Sequence, residues 1–296
     1  MKDIKFTYLE DSDKRIDNFF EYFGFESRSS FQETIKNGLV KVSGKPIKAN
    51  YKLRCFDSIA IEFLPEEKYS TESIFVPVLF ENENCYVLNK PPFLAVHRAK
   101  SYKKASLVDY MRDNNFTLST GEDEYRPGIV HRLDADTSGA IIIAKNDLFH
   151  QKLKAEFQNK IITKKYYALV YGVPKENVFV IKKSIGRSKN PIKMGIVEGG
   201  REAISNVELI STNGEYSLLN VRILTGRTHQ IRVHLSSINL PIVGDKLYGI
   251  KNKILADRQM LHAHYLRFMD PINGDKIEVK APMFKDMVDA IKKAQL

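Results

Sequence analysis

The chain has 296 residues, 43% of them hydrophobic and 28% charged, enough for a sizeable core in one or two domains. No apolar run approaches the ~20 residues that a membrane-spanning helix needs. The formal net charge of +10 favours a polyanionic partner, nucleic acid before an anionic membrane.

The two cysteines, Cys55 and Cys85, are too few for a four-thiolate zinc site and read as small buried hydrophobes. The first residues, Met1-Lys2-Asp3-Ile4-Lys5, lack the apolar core of a signal peptide, so a cytoplasmic location is expected.

Residues 13–64 read as a small separate unit. Positions 15–23 carry helical apolar spacing that Gly24 ends, and a second helix starts near Ser27-Arg28-Ser29-Ser30. Ser29 or Ser30 is its expected N-cap, with Phe31 and Ile35 facing inward and Gly38 stopping it. Residues 39–47 read as a hairpin around Ser43-Gly44, and Ile59–Phe63 as a further strand. Residues 1–65 hold eleven basic and ten acidic side chains, a net of +1, so +9 of the charge lies beyond them.

Residues 65–75 are polar and read as a linker. From Val76 the pattern is strand, turn and strand up to Pro91-Pro92, then a short helix at 105–113 and a polar loop at 114–127. Gly128 to Gly139 packs His131, Arg132, Asp134 and Asp136 ahead of an apolar strand, 140–144. A helix over 147–160 puts Leu148, Phe149, Leu153 and Phe157 on one face. Strands follow at 161–172, 178–183, 204–210 and 216–224, with a basic loop at 186–194. Residues 225–235 look like a turn entering a helix, 241–249 a turn-rich segment, 261–268 a strand and 284–294 a closing helix. Many strands and few helices predict an α+β domain with a mixed, mainly antiparallel sheet.

His131 to Asp136 is the densest polar cluster, fastened to a buried strand as a catalytic site requires. A charged surface turn is the bland alternative. The histidine spacings at 229/234 and 262/264 are not those of a metal-binding H-E-x-x-H helix, and no metal or other cofactor is expected. That leaves carboxylate chemistry. An Asp can act without a metal if an Arg holds it ionised, and Arg227 or Arg232 can provide one. An aromatic is expected to stack on a flat substrate, with Tyr166 and Tyr167 the candidates.

Five ordered segments resemble the RluA-type pseudouridine synthases over residues 76–296. They are Glu83-Asn84 with Val87-Leu88-Asn89-Lys90-Pro91, His131-Arg132-Leu133-Asp134-x-x-Thr137-Ser138-Gly139, Lys164 to Gly172, Gly226-Arg227-Thr228-His229-Gln230-Ile231-Arg232-Val233-His234, and Leu261-His262-Ala263. Met269-Asp270-Pro271 departs from that family's x-His-Pro. The N-terminal unit is similar to the S4-type RNA-binding domain through Arg15, Ser27-Arg28-Ser29 and Gly38-x-Val40-x-Val42-x-Gly44. It departs at Ser43, where that family has Asn, and at Phe56-Asp57, where it has Gly-Asp.

The resemblance implies a catalytic domain with a central RNA-binding cleft and the isomerisation of uridine to pseudouridine in RNA, with no cofactor. It makes Asp134 the catalytic carboxylate, Arg232 its ion-pair partner and Tyr166 the stacking residue. Arg132, Arg227 and Thr137 become substrate-binding residues, with Arg132 filling the space a flipped uridine leaves or holding its phosphate. Arg28, Lys36, Lys41 and Lys45 become RNA contacts of the N-terminal unit. His131 and His229 are read as structural. A monomer acting on large-subunit ribosomal RNA is expected. The alternatives are tRNA as substrate, a non-catalytic RNA-binding or ribosome-assembly protein, and a metal-dependent nuclease using Asp134 and Asp136.

Overall fold

The computed structural model describes residues 4–9, 14–25, 27–62, 70–98, 104–121, 126–188, 190, 192–250 and 255–296. Residues 65–69 of the expected linker, residues 122–125 of the expected loop, and Lys189 and Pro191 of the basic loop lie outside them. The chain divides into two compact units, Met1–Lys68 and Tyr69–Leu296.

In the first unit the elements are β1 (Ile4–Thr7), a 3-10 turn (Ile16–Phe19), α1 (Arg28–Lys36), β2 (Val40–Val42), β3 (Lys45–Pro46) and β4 (Ser58–Ile61). The strands form one antiparallel sheet in the order β1-β4-β2-β3. Ser43 and Gly44 both have positive φ, 50° and 79°, the backbone of a two-residue hairpin turn. Ser27 caps α1, because its extended backbone lets the hydroxyl accept the Ser30 N–H at 3.2 Å. This is two or three residues ahead of the expected cap.

Phe31 and Ile35, one turn apart, join Ile16, Val40, Ile59 and Ile61 in the core. The expected helix over 15–23 is only the 3-10 turn followed by further turns. Aromatic residues are indifferent helix formers, and here packing decides. Phe19 and Phe23 meet Tyr8 and Phe31, while Asp17 is drawn inward by Arg15, Arg28 and Gln32. Strand β1 precedes residue 13, the expected start of this unit.

The second unit contains β5 (Val78–Glu81), β6 (Cys85–Lys90), α2 (Leu107–Asp113), β7 (Ser138–Ala144), α3 (Asp147–Gln158), β8 (Thr163–Tyr171) and β9 (Val178–Lys182). Next come β10 (Ile185–Arg187), β11 (Met194–Ile196), β12 (Ile204–Thr212), β13 (Tyr216–Ile223), α4 (Gln230–Ser236), β14 (Leu261–Met269), β15 (Lys276–Lys280) and α5 (Lys285–Lys293). A nine-stranded sheet runs β5-β6-β7-β14-β8-β13-β12-β9, and β15 also pairs with β14. Its described pairings are antiparallel except β7 with β14. The fold is therefore mixed α+β with a mostly antiparallel sheet.

Strands β6 and β7 are apolar almost throughout because both of their faces are covered. Val87, Ala140 and Ile142 point into a core with Phe149 and Leu153 of α3. Leu88, Ile141 and Ile143 point the other way, into the larger core with Tyr166 and Met111. Leu148, expected on the inner face of α3, is 57% exposed, since one residue before Phe149 is a third of a turn away. The basic loop is a hairpin, β10 with β11, and β15 was not expected. Among the described residues no helix is long and apolar enough to cross a membrane.

Two glycines bring the polar segments together. Gly139 has φ +116°, and a Cβ there would collide with the main chain of Ala263, so only glycine lets β7 lie against β14 at this point. Gly244 has φ +75° and would collide with the Arg258 carbonyl. The turn it permits sets the next residue, Asp245, beside α4.

Candidate active site

The polar loop before β7 and the start of α4 face one cleft of about 440 Å³, lined also by Tyr166 and Lys164 of β8. The loop is held in shape from beneath. Lys90, at the end of fully buried β6, donates from Nζ to the carbonyls of Pro91, Leu94 and Ala135 at 2.9, 2.8 and 2.9 Å. Buried Arg258 donates to the Asp136 carbonyl at 3.1 Å and pairs with Asp286 at 2.6 Å. The Thr137 N–H closes a turn onto the Asp134 carbonyl at 3.1 Å. Its hydroxyl accepts from Gln259 at 3.3 Å. His131 Nε2 accepts the Ile142 N–H at 2.9 Å, and its ring lies 4.8 Å from that of Phe157. Every residue from His131 to Thr137 except Arg132 and Leu133 is thus tied down or held by a neighbour's bond.

Asp134 emerges from this loop with its side chain 20% exposed. Its Oδ2 accepts from Arg232 Nη1 at 2.8 Å. Arg232 also grips Asp245, Nε to Oδ2 at 2.7 Å and Nη2 to Oδ1 at 3.0 Å. Asp245 Oδ1 further accepts the N–H groups of Leu247 and Tyr248 at 2.9 and 3.0 Å. One guanidinium therefore serves two carboxylates, a bidentate grip on the buried one and a single bond to the one in the cleft. Among the described residues, Asp134 Oδ1 has no hydrogen-bond partner.

The charges follow from burial and neighbours. Burial works against the Arg232 cation, but Asp245 and then Asp134 outweigh it and hold its pKa above the ordinary value. Burial would raise the Asp245 carboxyl, yet Arg232 and the two backbone N–H groups keep it below the usual carboxylate range. Burial, and then the charge of Asp134, push the Tyr166 phenol up, so it stays protonated. Burial brings Lys90 down to about 7 and Lys164 to about 8. Burial and the nearby Lys164 charge take His131 to about 3, so it is neutral, as its accepting Nε2 demands.

The predicted residues are only partly gathered here. Arg132, Asp134, Thr137, Tyr166, Arg227 and Arg232 all line the cleft. Arg132 is exposed and makes no hydrogen bond or ion pair to another described residue, whereas Arg227 donates to the Glu202 carbonyl at 3.0 Å. Thr137 is buried at 2% exposure and is engaged by Gln259.

In the N-terminal unit, Lys36 and Lys45 are exposed. Arg28 is bound to Asp17 at 3.1 Å and Lys41 to Glu62. Among the described residues, Asp136 meets the loop's framework through its carbonyl, which accepts from Arg258. His262 and His264 have other work. His262 bridges Ser138 and the Ala281 carbonyl, and His264 stacks on Tyr167 at 3.6 Å. Among the described residues no group of three or more His, Cys, Asp or Glu could hold a metal ion.

Sequence reasoning assigned no role to Lys90, Asp245, Tyr248 or Arg258. A lone Lys ending an apolar strand was a usable signal for the first, and Gly244-Asp245 in a turn-rich segment for the second. For Arg258 there was none.

Residues 84–237 match the RNA pseudouridylate synthase family. An uncharacterized RNA pseudouridine synthase of Bacillus subtilis (strain 168), YlyB, is 34% identical over 98% of this chain and 98% of its own length. The ribosomal large subunit pseudouridine synthase D of Zymomonas mobilis is also 34% identical, covering 88% of this chain and 87% of that protein. Among solved structures, human RNA pseudouridylate synthase domain containing 1 superposes with a TM-score of 0.59 at 27% identity, covering 73% of this chain and 86% of that one.

Proposed function

Because the chain belongs to the RNA pseudouridylate synthase family, and so is an isomerase that converts uridine to pseudouridine in RNA, we propose that Asp134 is its catalytic carboxylate. The observation that carries this reading is the division of labour at Asp134. One oxygen is fixed by Arg232 and the other opens onto the cleft. Arg232 orients the carboxylate, and Asp245 keeps Arg232 in place. Tyr166, protonated in the cleft wall, stacks on the uracil.

A uridine in folded RNA must leave its stack to reach this carboxylate, at a cost on the order of a few kcal/mol. Arg132, exposed and unpaired among the described residues, occupies the vacated position or holds the phosphate. Arg227 supports the cleft's edge, and Thr137 shapes the loop beneath the substrate.

The preferred substrate is large-subunit ribosomal RNA. A relative bearing that assignment in its name aligns over most of both chains. The N-terminal unit acts as an S4-like RNA-binding domain that presents Lys36 and Lys45. Arg28 and Lys41, already in ion pairs, contribute to the field rather than as free donors.

Two experiments test the proposal. The protein is incubated with RNA tritiated at uracil carbon 5, where wild type releases tritium and Asp134→Asn does not. Tritium release by the variant would sink the assignment of Asp134. Pseudouridine is then mapped in ribosomal RNA and tRNA from cells with and without the gene. A site lost from large-subunit RNA supports the substrate, and a loss confined to tRNA overturns it.

A further inference from the structure

Asp134 Oδ1 faces the ring of His229. His229 Nε2 lies 3.9 Å from that oxygen, about 1 Å beyond hydrogen-bond length. The far edge of the same ring decides which nitrogen carries its proton. The Tyr248 hydroxyl accepts the main-chain N–H of Met194 at 2.8 Å and lies 2.9 Å from His229 Nδ1. With one lone pair taken by Met194, the hydroxyl is set to give its single proton to Nδ1. The neutral imidazole then carries its own proton on Nε2, facing the cleft. Burial favours the neutral ring, the cations of Arg232 and Arg132 add to this, and Asp134 and Asp245 oppose it without prevailing.

The backbone supports the same reading. His229 precedes α4 with φ +56° and ψ 20°, where N-caps are ordinarily extended, and its side chain makes no cap hydrogen bond. A non-glycine residue in the left-handed region is uncommon, and such outliers gather at functional sites. Here it turns the ring away from the helix end, towards Tyr248 and the cleft.

Building on Asp134 as the catalytic carboxylate, we propose that His229 is a further catalytic residue, a neutral N–H donor to a uracil carbonyl oxygen while the base is detached from its ribose. When the bond from N1 to the ribose carbon breaks, its electron pair leaves with the base and spreads onto the ring nitrogen and carbonyl oxygens. Carbon 5 then supplies the pair for the new bond to the same ribose carbon and loses its proton, while N1 gains one. A fixed, uncharged donor stabilises that negative charge without surrendering a proton to it. Tyr248 is the positioning residue that sets the tautomer.

The test is single-turnover tritium release from carbon-5-labelled RNA of cells lacking the gene, with RNA affinity and thermal unfolding measured in parallel. His229→Ala should slow turnover by about 100-fold and leave RNA affinity within about twofold, since phosphate contacts dominate binding. His229→Gln, whose amide nitrogen can take the place of Nε2, should recover at least about tenfold of that loss. Tyr248→Phe, which frees the tautomer, should slow turnover by about tenfold. A His229→Ala enzyme at the wild-type rate, or a His229→Gln enzyme no faster than His229→Ala, overturns the proposal. Tryptic or thermal stability has no bearing on the Gln rescue, which a merely structural histidine would not show. No tritium release by wild type itself would instead strike the proposed function, and this inference with it.

Discussion

Asp17 and Asp134 are each an aspartate held by arginine, and they end in opposite surroundings. Asp17 has a fully buried side chain and takes hydrogen bonds from Arg15, Arg28 and Gln32, which leave its carboxylate saturated. Burial would raise its pKa, but Gln32, Arg15 and Arg28 hold it below the ordinary value. Asp134 has one oxygen on Arg232 and the other in an open cleft. A saturated carboxylate organises a fold. One that is fixed but incompletely satisfied can still react. The second state is sustained because Asp245 takes the larger share of Arg232's donors.

Substitution at each carboxylate separates the two roles. The largest effect is expected from Asp134→Ala, which should lower turnover by at least about 10⁴-fold, as removal of a principal catalytic group does elsewhere. Its unfolding midpoint should hardly move, because Arg232 keeps its bidentate partner. A marked loss of stability in urea would show that Asp134 resembles Asp17 after all.

Asp245→Ala comes next. It leaves Arg232 buried with one partner, which should cost about 3 kcal/mol in stability and about 100-fold in turnover as the guanidinium shifts onto Asp134. Chemical denaturation and tritium release measure the two effects, and an unchanged rate would mean that Asp245 serves the fold alone.

Asp17→Ala should destabilise the N-terminal unit by about 1–2 kcal/mol, below the usual figure for a buried pair, because Arg15 and Arg28 are 45% and 46% exposed and rehydrate. Turnover at saturating RNA should be unchanged.

A further effect concerns acid. His131 falls from an ordinary 6.5 to about 3 on folding, so the folded state binds fewer protons than the unfolded state between those values. Stability therefore falls as pH drops from about 6.5 towards 3, by at most ~1.4 kcal/mol per pH unit for this one group. His262 and His264, both taken to about 4 mainly by burial, steepen the same limb. His131→Gln should shallow the slope by no more than one proton. An unaltered slope in acid titrations followed by circular dichroism would remove His131 from the account.

Periodicity made most of the elements readable. Alternation marked β9, β12 and β13, and the buried run 140–144 marked β7, because each pattern follows from which faces a strand must cover. Strand β15 carried the same signal, with Ile277 and Val279 buried between exposed Lys276, Glu278 and Lys280, and it passed unread in a segment full of turns. The 3-10 turn at Ile16–Phe19 was not readable. Its shape depends on Asp17 reaching Arg28 and Gln32, eleven and fifteen residues away.

Residue order alone carried the polar motif at 131–139, the strand behind it, the Arg-rich turn into α4, and the chemistry those residue types can support. Local spacing carries such information, because it depends on neighbours within a few positions. Only the tertiary structure decided which groups meet. Arg232 reaches Asp134 across 98 residues, Arg258 holds the Asp136 carbonyl across 122, and the Tyr248 hydroxyl meets His229 Nδ1 across 19. A hydrogen bond is settled within a fraction of an ångström, and the chain positions of its two ends say nothing of that distance until the sheet has brought them together.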